Sequence, residues 1–266
     1  MYLLLSINIG LFFIEEWQAN QHTLNSPFSF ITLIESYAQT IDTFAWVILL
    51  ILFELETYVL DDEIIKGKVK WSLHGVRAVC YIFIIYSFSG YVAKTIQLYQ
   101  TESSAISSAC SIELSDYSYM VDLDEYVSIS TVNCNELAGA AAGNDLHILG
   151  RNKNIVSDSQ TLSDVRKLAW VDIINAGTWI IVVILLEIDV LLQLASSKRR
   201  HVIDILNRSA KSACYSILFA AAVYWGMYGT LLDFWDAFLW LTAFIFIEMN
   251  IFKWQHELDE VEATTG

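Results

Sequence analysis

The chain has 266 residues, of which 55% are hydrophobic and only 17% are charged. Ordinary soluble domains carry about a quarter of charged residues, so this composition excludes that class and favours a polytopic membrane protein. The net charge of −15 argues against a nucleic-acid partner, because proteins that bind nucleic acid present a basic face.

The N-terminal run of residues 1–13 is apolar but short, and Glu15 and Glu16 follow it. It lacks the basic start and the small-residue cleavage site of a signal peptide. About 20 apolar residues are needed to cross the bilayer core. The run therefore predicts an interfacial or packed helix within an extracytoplasmic segment 1–27, and a membrane span is the alternative.

Five longer apolar stretches follow, and their lengths and lack of alternation favour helices over barrel strands. They cover residues 28–60, 78–99, 169–195, 213–232 and 237–254. A tight acidic turn, Asp233 to Asp236, is predicted between the last two. The predicted fold class is all-α, a polytopic membrane bundle of about five transmembrane helices with a small extracytoplasmic segment.

This reading divides the chain after the N-terminal segment into four parts. They are a first transmembrane hairpin in 28–99, an acidic extracytoplasmic segment in 100–168, transmembrane helices three to five in 169–254, and an acidic cytoplasmic tail in 255–266. Basic residues cluster in the loops after the first and third spans, and such loops face the cytoplasm. The N-terminus is then outside and the C-terminus inside, and a bacterial inner (plasma) membrane is the predicted location.

The acidic segment, residues 100–168, has eight acids and no Lys or Arg between Glu102 and Asp145. At under about 70 residues it is marginal as an independent domain. It contains Cys110 and Cys134, which an oxidising compartment would allow to pair. The prediction is a disulfide bond between them, and two unrelated thiols are the alternative.

Three apolar stretches repeat one pattern, in which Trp is followed eight residues later by Glu and two residues after that by another polar side chain. The three sets are Trp46, Glu54 and Glu56; Trp179, Glu187 and Asp189; and Trp240, Glu248 and Asn250. A carboxylate at membrane depth costs roughly 3 kcal/mol or more to insert, so such residues indicate a functional site.

The six polar side chains could handle an ion in two ways. Their oxygens suit a divalent cation, with Glu54, Glu187 and Glu248 as metal ligands, and a buried Glu could instead relay protons. Residues two apart on a helix point about 200° apart, so Glu56, Asp189 and Asn250 are the weaker members. Two alternatives remain open: the acids pair with the basic loops at the cytoplasmic ends, or they lock helices together.

The first and second spans also resemble the third and fourth, because Cys80-Tyr81 aligns with Cys214-Tyr215 when the Trp residues are aligned. This indicates a parallel repeat of a two-helix unit. Coincidence is the alternative, since Trp and acids both favour membrane boundaries.

The predicted function is a cation or proton transporter or channel that uses intramembrane carboxylates, in a homo-oligomer or larger membrane complex in the lipid bilayer. The alternative is a non-catalytic membrane subunit or sensor whose extracytoplasmic segment binds a partner. An enzyme is not expected, because no nucleophile–base pair is visible in the sequence. A divalent cation is the only cofactor that these residues suggest, and nucleic acid is not an expected partner.

Overall fold

The computed structural model describes residues 1–23, 33–34, 36–56, 67–103, 110, 117–140, 146–149, 154–194 and 200–247. Helices account for 82% of these residues. The chain divides into two compact units. The first unit is Ser6–Ile173, and the second consists of Met1–Leu5 and the chain from Ile174 onward.

Seven helices lie in the described residues. They are α1 (Tyr2–Thr23), α2 (Ala38–Glu54), α3 (Lys68–Tyr99), α4 (Cys134–Ala140), α5 (Ser159–Leu194), α6 (Arg200–Tyr228) and α7 (231–247). The helices that correspond to the second, third, fourth and fifth predicted spans begin 6 to 13 residues earlier than the apolar stretches. Charged residues such as Lys and Arg are good helix formers, so a helix extends past the apolar stretch that marks it.

Within the described residues, two helices are long and apolar enough to cross a membrane: α3 and the part of α5 from Ser159 to Ile188. Both expose large apolar side chains, such as Ile85 on α3 and Ile184 on α5. Both also bury small polar ones, such as Ser87 and Thr178. Crossing by the other predicted spans stays a prediction.

The prediction of an all-α fold is wrong for the acidic segment, which forms a five-stranded sheet. Its strands are β1 (Thr101–Ser103), β2 (Ser118–Met120), β3 (Tyr126–Ser128), β4 (Leu146–Leu149) and β5 (Ile155–Asp158). The order in the sheet is β1-β4-β5-β2-β3. Among these described strands, β2 and β5 pair in parallel, and the other three pairs are antiparallel. Strands of three or four residues leave little periodic signal in a sequence.

Strands β2 and β5 are buried, and their successive side chains point to opposite faces of the sheet. On one face Tyr119 and Val156 join an apolar cluster with Cys134 of α4. On the other face Met120 and Ile155 join a cluster with the ends of α3 and α5. The sheet therefore lies between the two bonded cysteines on one side and the ends of these two helices on the other.

The predicted acidic turn at Asp233–Asp236 is also misplaced, since these residues lie in the first turns of α7. The chain turns instead at Gly229 and Thr230. The Thr230 hydroxyl donates to the Asp233 carboxylate at 2.7 Å, and the Asp233 backbone N–H donates back to the Thr230 Oγ1 at 3.2 Å. This reciprocal cap starts α7. Gly229 directly follows α6 and lies close to the Trp225 side chain, so a Cβ at this position would be 2.8 Å from Trp225 Cδ1.

Candidate functional site

The predicted acids of the first span lie at the end of α2. Glu54 is its last residue and is half-buried. Glu56 accepts a hydrogen bond from the Arg77 guanidinium at 2.5 Å, which forms an ion pair with α3. Arg77 is one of the basic residues of the predicted cytoplasmic loop. Glu56 therefore pairs with a basic residue of that loop, as expected under the alternative in which these acids do not form an ion site.

Of the other predicted site residues, the structure describes the side chain of Glu187 alone. Glu187 is exposed on α5, and Asp189 lies in the same helix with its side chain outside the description. Glu248 and Asn250 fall outside the described residues. In the part of the chain that the structure describes, no group of three His, Cys, Asp or Glu side chains is arranged to hold a metal ion. The shared ion site of Glu54, Glu187 and Glu248 stays a prediction.

The repeated helices agree in which positions they bury. Each of the three Trp residues is 7–8% exposed, and the residues one and three positions before it are buried as well. In α3 and α6 the buried positions also recur at spacings of seven, four and three residues. They are Leu73, Cys80, Ile84 and Ser87 in α3, and Asn207, Cys214, Leu218 and Ala221 in α6. The buried faces thus follow the alignment that the sequence suggests.

The prediction of a disulfide is confirmed: Cys110 and Cys134 are bonded, with their Cα atoms 5.1 Å apart. The bond joins the start of α4 to a residue 24 positions earlier. Both sulfur-bearing residues contact the cluster of Tyr119 and Val156. The disulfide therefore covers the sheet face that is turned away from α3 and α5.

The opposite face of the sheet is fixed to α3 and α5 by an apolar core. Met120 and Ile155 are 0–1% exposed and pack with Leu98 of α3 and Val165 of α5. Burying side chains of this size stabilises the contact by about 1.5–3 kcal/mol each. The sheet and the two helix ends consequently share one interior.

Arg166 of α5 reinforces this core at the end of α3. Its Nε donates to the Leu98 carbonyl oxygen at 2.9 Å, and its guanidinium carbon lies 4.6 Å from the Tyr99 ring centre. A cation at a helix C-terminus satisfies a last-turn carbonyl and opposes the negative end of the helix dipole. Trp170 Nε1 also donates to the Tyr99 hydroxyl at 3.1 Å.

Asp158 joins the sheet to α5 at the point where β5 becomes the helix. Its carboxylate accepts bonds from the Tyr119 hydroxyl at 2.5 Å and from the Thr161 hydroxyl at 2.6 Å. The backbone N–H groups of Gln160 and Thr161 donate to it as well, which caps α5. Burial alone would raise the pKa of Asp158, but these hydrogen bonds outweigh burial and lower it. Burial, with the bond to Asp158, raises the pKa of Tyr119 to about 12.

A polar cluster lies beside the apolar core and connects α1, α2, α3 and the turn between β2 and β3. Lys94 of α3 forms an ion pair with Asp124, with Nζ 2.6 Å from Oδ2. Tyr126 lies near this pair, and its pKa is raised by burial and by the Asp124 charge. His22 stacks on the Tyr126 ring, with 6.0 Å between ring centres, and its Nδ1 lies 2.9 Å from Ser118 Oγ.

Glu16 of α1 belongs to the same cluster. Its carboxylate is buried and accepts hydrogen bonds from the first turn of α2. Burial raises the pKa of Glu16 to about 7, against hydrogen bonds from Thr40 and Gln39 that lower it. The nearby charge of Asp124 raises this pKa further, and that of Lys94 lowers it.

The Trp-to-acid pattern in the sequence does not mark this cluster. Lys94 lies inside the second predicted span, and an ionisable residue in a span is itself a signal of function. Glu16 and Asp124 carry no comparable signal. Glu16 follows an apolar run that is too short to cross a membrane, and Asp124 is one of eight acids between Glu102 and Asp145.

Comparison of the chain with family models, with curated proteins and with solved structures finds no match.

Proposed function

We propose that the chain is an integral membrane protein, and that it acts as a non-catalytic subunit or sensor whose acidic segment binds a partner. Membrane residence is supported by the length and apolar character of α3 and α5. It is further supported by their exposed Ile side chains beside buried Ser and Thr, since lipid-facing surfaces are apolar while helix contacts favour small and polar residues.

The observation that carries the role as subunit or sensor is the apolar core shared by the sheet and the two helices. Met120 and Ile155 of the sheet are buried together with Leu98 and Val165 of the helices. A segment that was only attached to the ends of the membrane helices would not need to share an apolar core with them. A shared core instead allows an event at the segment to change the helix ends, because packed cores shift between discrete arrangements.

The acidic side chains indicate the chemistry of the partner. Glu102, Glu125 and Glu136 are exposed in the described part of the segment. No Lys or Arg lies between Glu102 and Asp145 to compensate these charges. The segment therefore suits a partner with a basic surface, whose approach the charges would accelerate in a salt-dependent way.

The experiment compares the wild type with a variant that carries Glu102→Gln, Glu125→Gln and Glu136→Gln. Membranes are solubilised in a mild detergent, and the mass of the complex that contains the chain is measured at low and high salt. We expect the wild type to run in a larger complex that high salt weakens, and the triple variant to run smaller at both salt concentrations. A wild type that runs as a lone chain at low salt contradicts the proposal.

A second candidate is the predicted handling of a cation or proton by the acids. The observation in its favour is that Glu187 lies on a helix long and apolar enough to cross a membrane. Replacing Glu187 by Gln keeps the shape and removes the charge, so flux in liposomes should fall sharply while folding holds. Unchanged flux, together with no stabilisation of the wild type by divalent cations, would leave the role as subunit or sensor alone.

A further inference from the structure

The contact between α1 and α2 depends on one buried carboxylate. Glu16 is 6% exposed, and its Oε1 accepts the Gln39 backbone N–H at 2.8 Å. Its Oε2 accepts the Thr40 backbone N–H at 3.2 Å and the Thr40 hydroxyl at 2.6 Å. A side chain of α1 thus serves as the N-terminal cap of another helix, which normally supplies its own capping residue.

A second hydrogen bond between α1 and the start of α2 is formed by two uncharged groups. Asn20, one turn after Glu16 on α1, donates from its side-chain nitrogen to the Ser36 carbonyl oxygen at 3.1 Å. The Phe13 and Tyr37 rings stack nearby, with 5.5 Å between their centres. Of these contacts between α1 and the start of α2, the one made by Glu16 is charged, and those made by Asn20 and by the Phe13 and Tyr37 rings are neutral.

The charged groups that act on Glu16 come from two other elements. Asp124, in the turn between β2 and β3, opposes its ionisation, and Lys94 of α3 favours it. These two charges lie in an ion pair with each other and act on Glu16 in opposite directions, and the effect of Asp124 is the larger. Burial is the largest influence, and the hydrogen bonds from Thr40 and Gln39 oppose it.

We propose that Glu16 is a proton-binding site, and that proton binding there strengthens the contact between α1 and the N-terminus of α2. In the ionised form the carboxylate accepts three hydrogen bonds at the positive end of a helix dipole but lacks hydration. In the protonated form the desolvation penalty disappears. The Thr40 hydroxyl can then rotate to accept from the carboxylic acid, because its hydrogen is free to turn.

The direction of the pH effect follows from the pKa of Glu16, which is raised from 4.5 to about 7. A raised pKa means that the folded contact binds the proton more tightly than the open state does. The stabilisation is complete below about pH 4.5 and is lost as the pH rises through about 7. Since each pKa unit is a factor of ten, the opening equilibrium can change by roughly a few hundredfold across this window.

The inference goes beyond partner binding and does not depend on it, because the contact is measured in the isolated full chain. Hydrogen exchange of the Gln39 and Thr40 amides is followed between pH 5 and 8, after correction for intrinsic exchange. In the wild type we expect protection to fall by roughly 70-fold between these two pH values. Glu16→Gln keeps one oxygen to accept the Gln39 N–H, but its NH2 group cannot accept the Thr40 N–H. In this variant we therefore expect protection of the Gln39 amide that is independent of pH.

Glu125→Gln is the matched control, because it makes the same change at an exposed acid beside Asp124. It should keep the wild-type profile. A Glu16→Gln variant that retains the wild-type pH dependence overturns the proposal, since another group would then be titrating.

Two further variants keep the test decisive if Glu16→Gln does not fold. Thr40→Val removes a hydrogen bond that lowers the pKa of Glu16, so the midpoint of the protection profile should move to higher pH. Asp124→Asn removes a charge that raises this pKa, so the midpoint should move to lower pH. Unmoved midpoints in both variants also overturn the proposal.

Discussion

Ile155 and Val156 are neighbours in β5 and offer a matched test of whether the sheet is fixed to the helices. Ile155 is 1% exposed on the face toward α3 and α5, and Val156 is 0% exposed on the face toward the disulfide. Ile155→Ala removes three carbons, worth about 0.8 kcal/mol each, and the cavity raises the expected loss to about 2–5 kcal/mol. Val156→Ala removes two carbons, or about 1.6 kcal/mol before any cavity term.

The two variants should differ in where they loosen the protein, and hydrogen exchange measured by mass spectrometry shows this. Ile155→Ala should raise exchange in peptides from the end of α3 and the start of α5. Val156→Ala should raise exchange in the strands and α4 and leave those helix ends as in the wild type. Equal exchange at the helix ends in both variants would refute the idea that one face of the sheet is specifically coupled to the helices.

Three other predictions concern local features. Gly229→Ala places a Cβ 2.8 Å from the Trp225 indole and should lower the free energy of unfolding by about 1–3 kcal/mol. Gly75→Ala in α3 has open space around it and should not lower it; thermal unfolding in detergent measures both variants. Replacing both disulfide cysteines with Ser should cost about 3 kcal/mol, and a reductant should bring the wild type to the same melting temperature; a reductant without effect contradicts this. Because the pKa of Asp158 is lowered, its carboxylate stabilises the folded state above about pH 4, and this stabilisation is lost as the pH falls below that. Asp158→Asn should remove this loss of stability in acid. If the variant's melting temperature depends on pH as that of the wild type does, another group causes the loss.

The sequence predicts the long helices and the disulfide because both depend on local or compositional signals. Apolar length marks α3 and α5, and two cysteines in one segment allow only one bond between them. α2 lies within the first predicted span, and α3 covers the second but begins at Lys68, inside the predicted loop. Helix starts are less predictable, since helices continue into polar sequence.

The sheet and the polar cluster could not be predicted because they depend on pairings between distant residues. β1 pairs with β4 more than forty residues later, and β2 pairs in parallel with β5. Lys94 meets Asp124 thirty residues away, and Glu16 meets α2 across a stretch without periodic signal. No spacing rule relates such partners, and only the folded chain brings them together.

The strand order also fixes the sequence of events while the chain is being synthesised. β5 lies between β4 and β2, yet it is the last strand to leave the ribosome. The sheet therefore cannot form completely until residue 158 has emerged. Until then β1 and β4 remain separate from β2 and β3. The disulfide needs only residues up to 134, so the bond can form before the central strand arrives. A bond formed early would then join Cys110 to the start of α4 across β2 and β3, and β5 would complete the sheet as α5 begins.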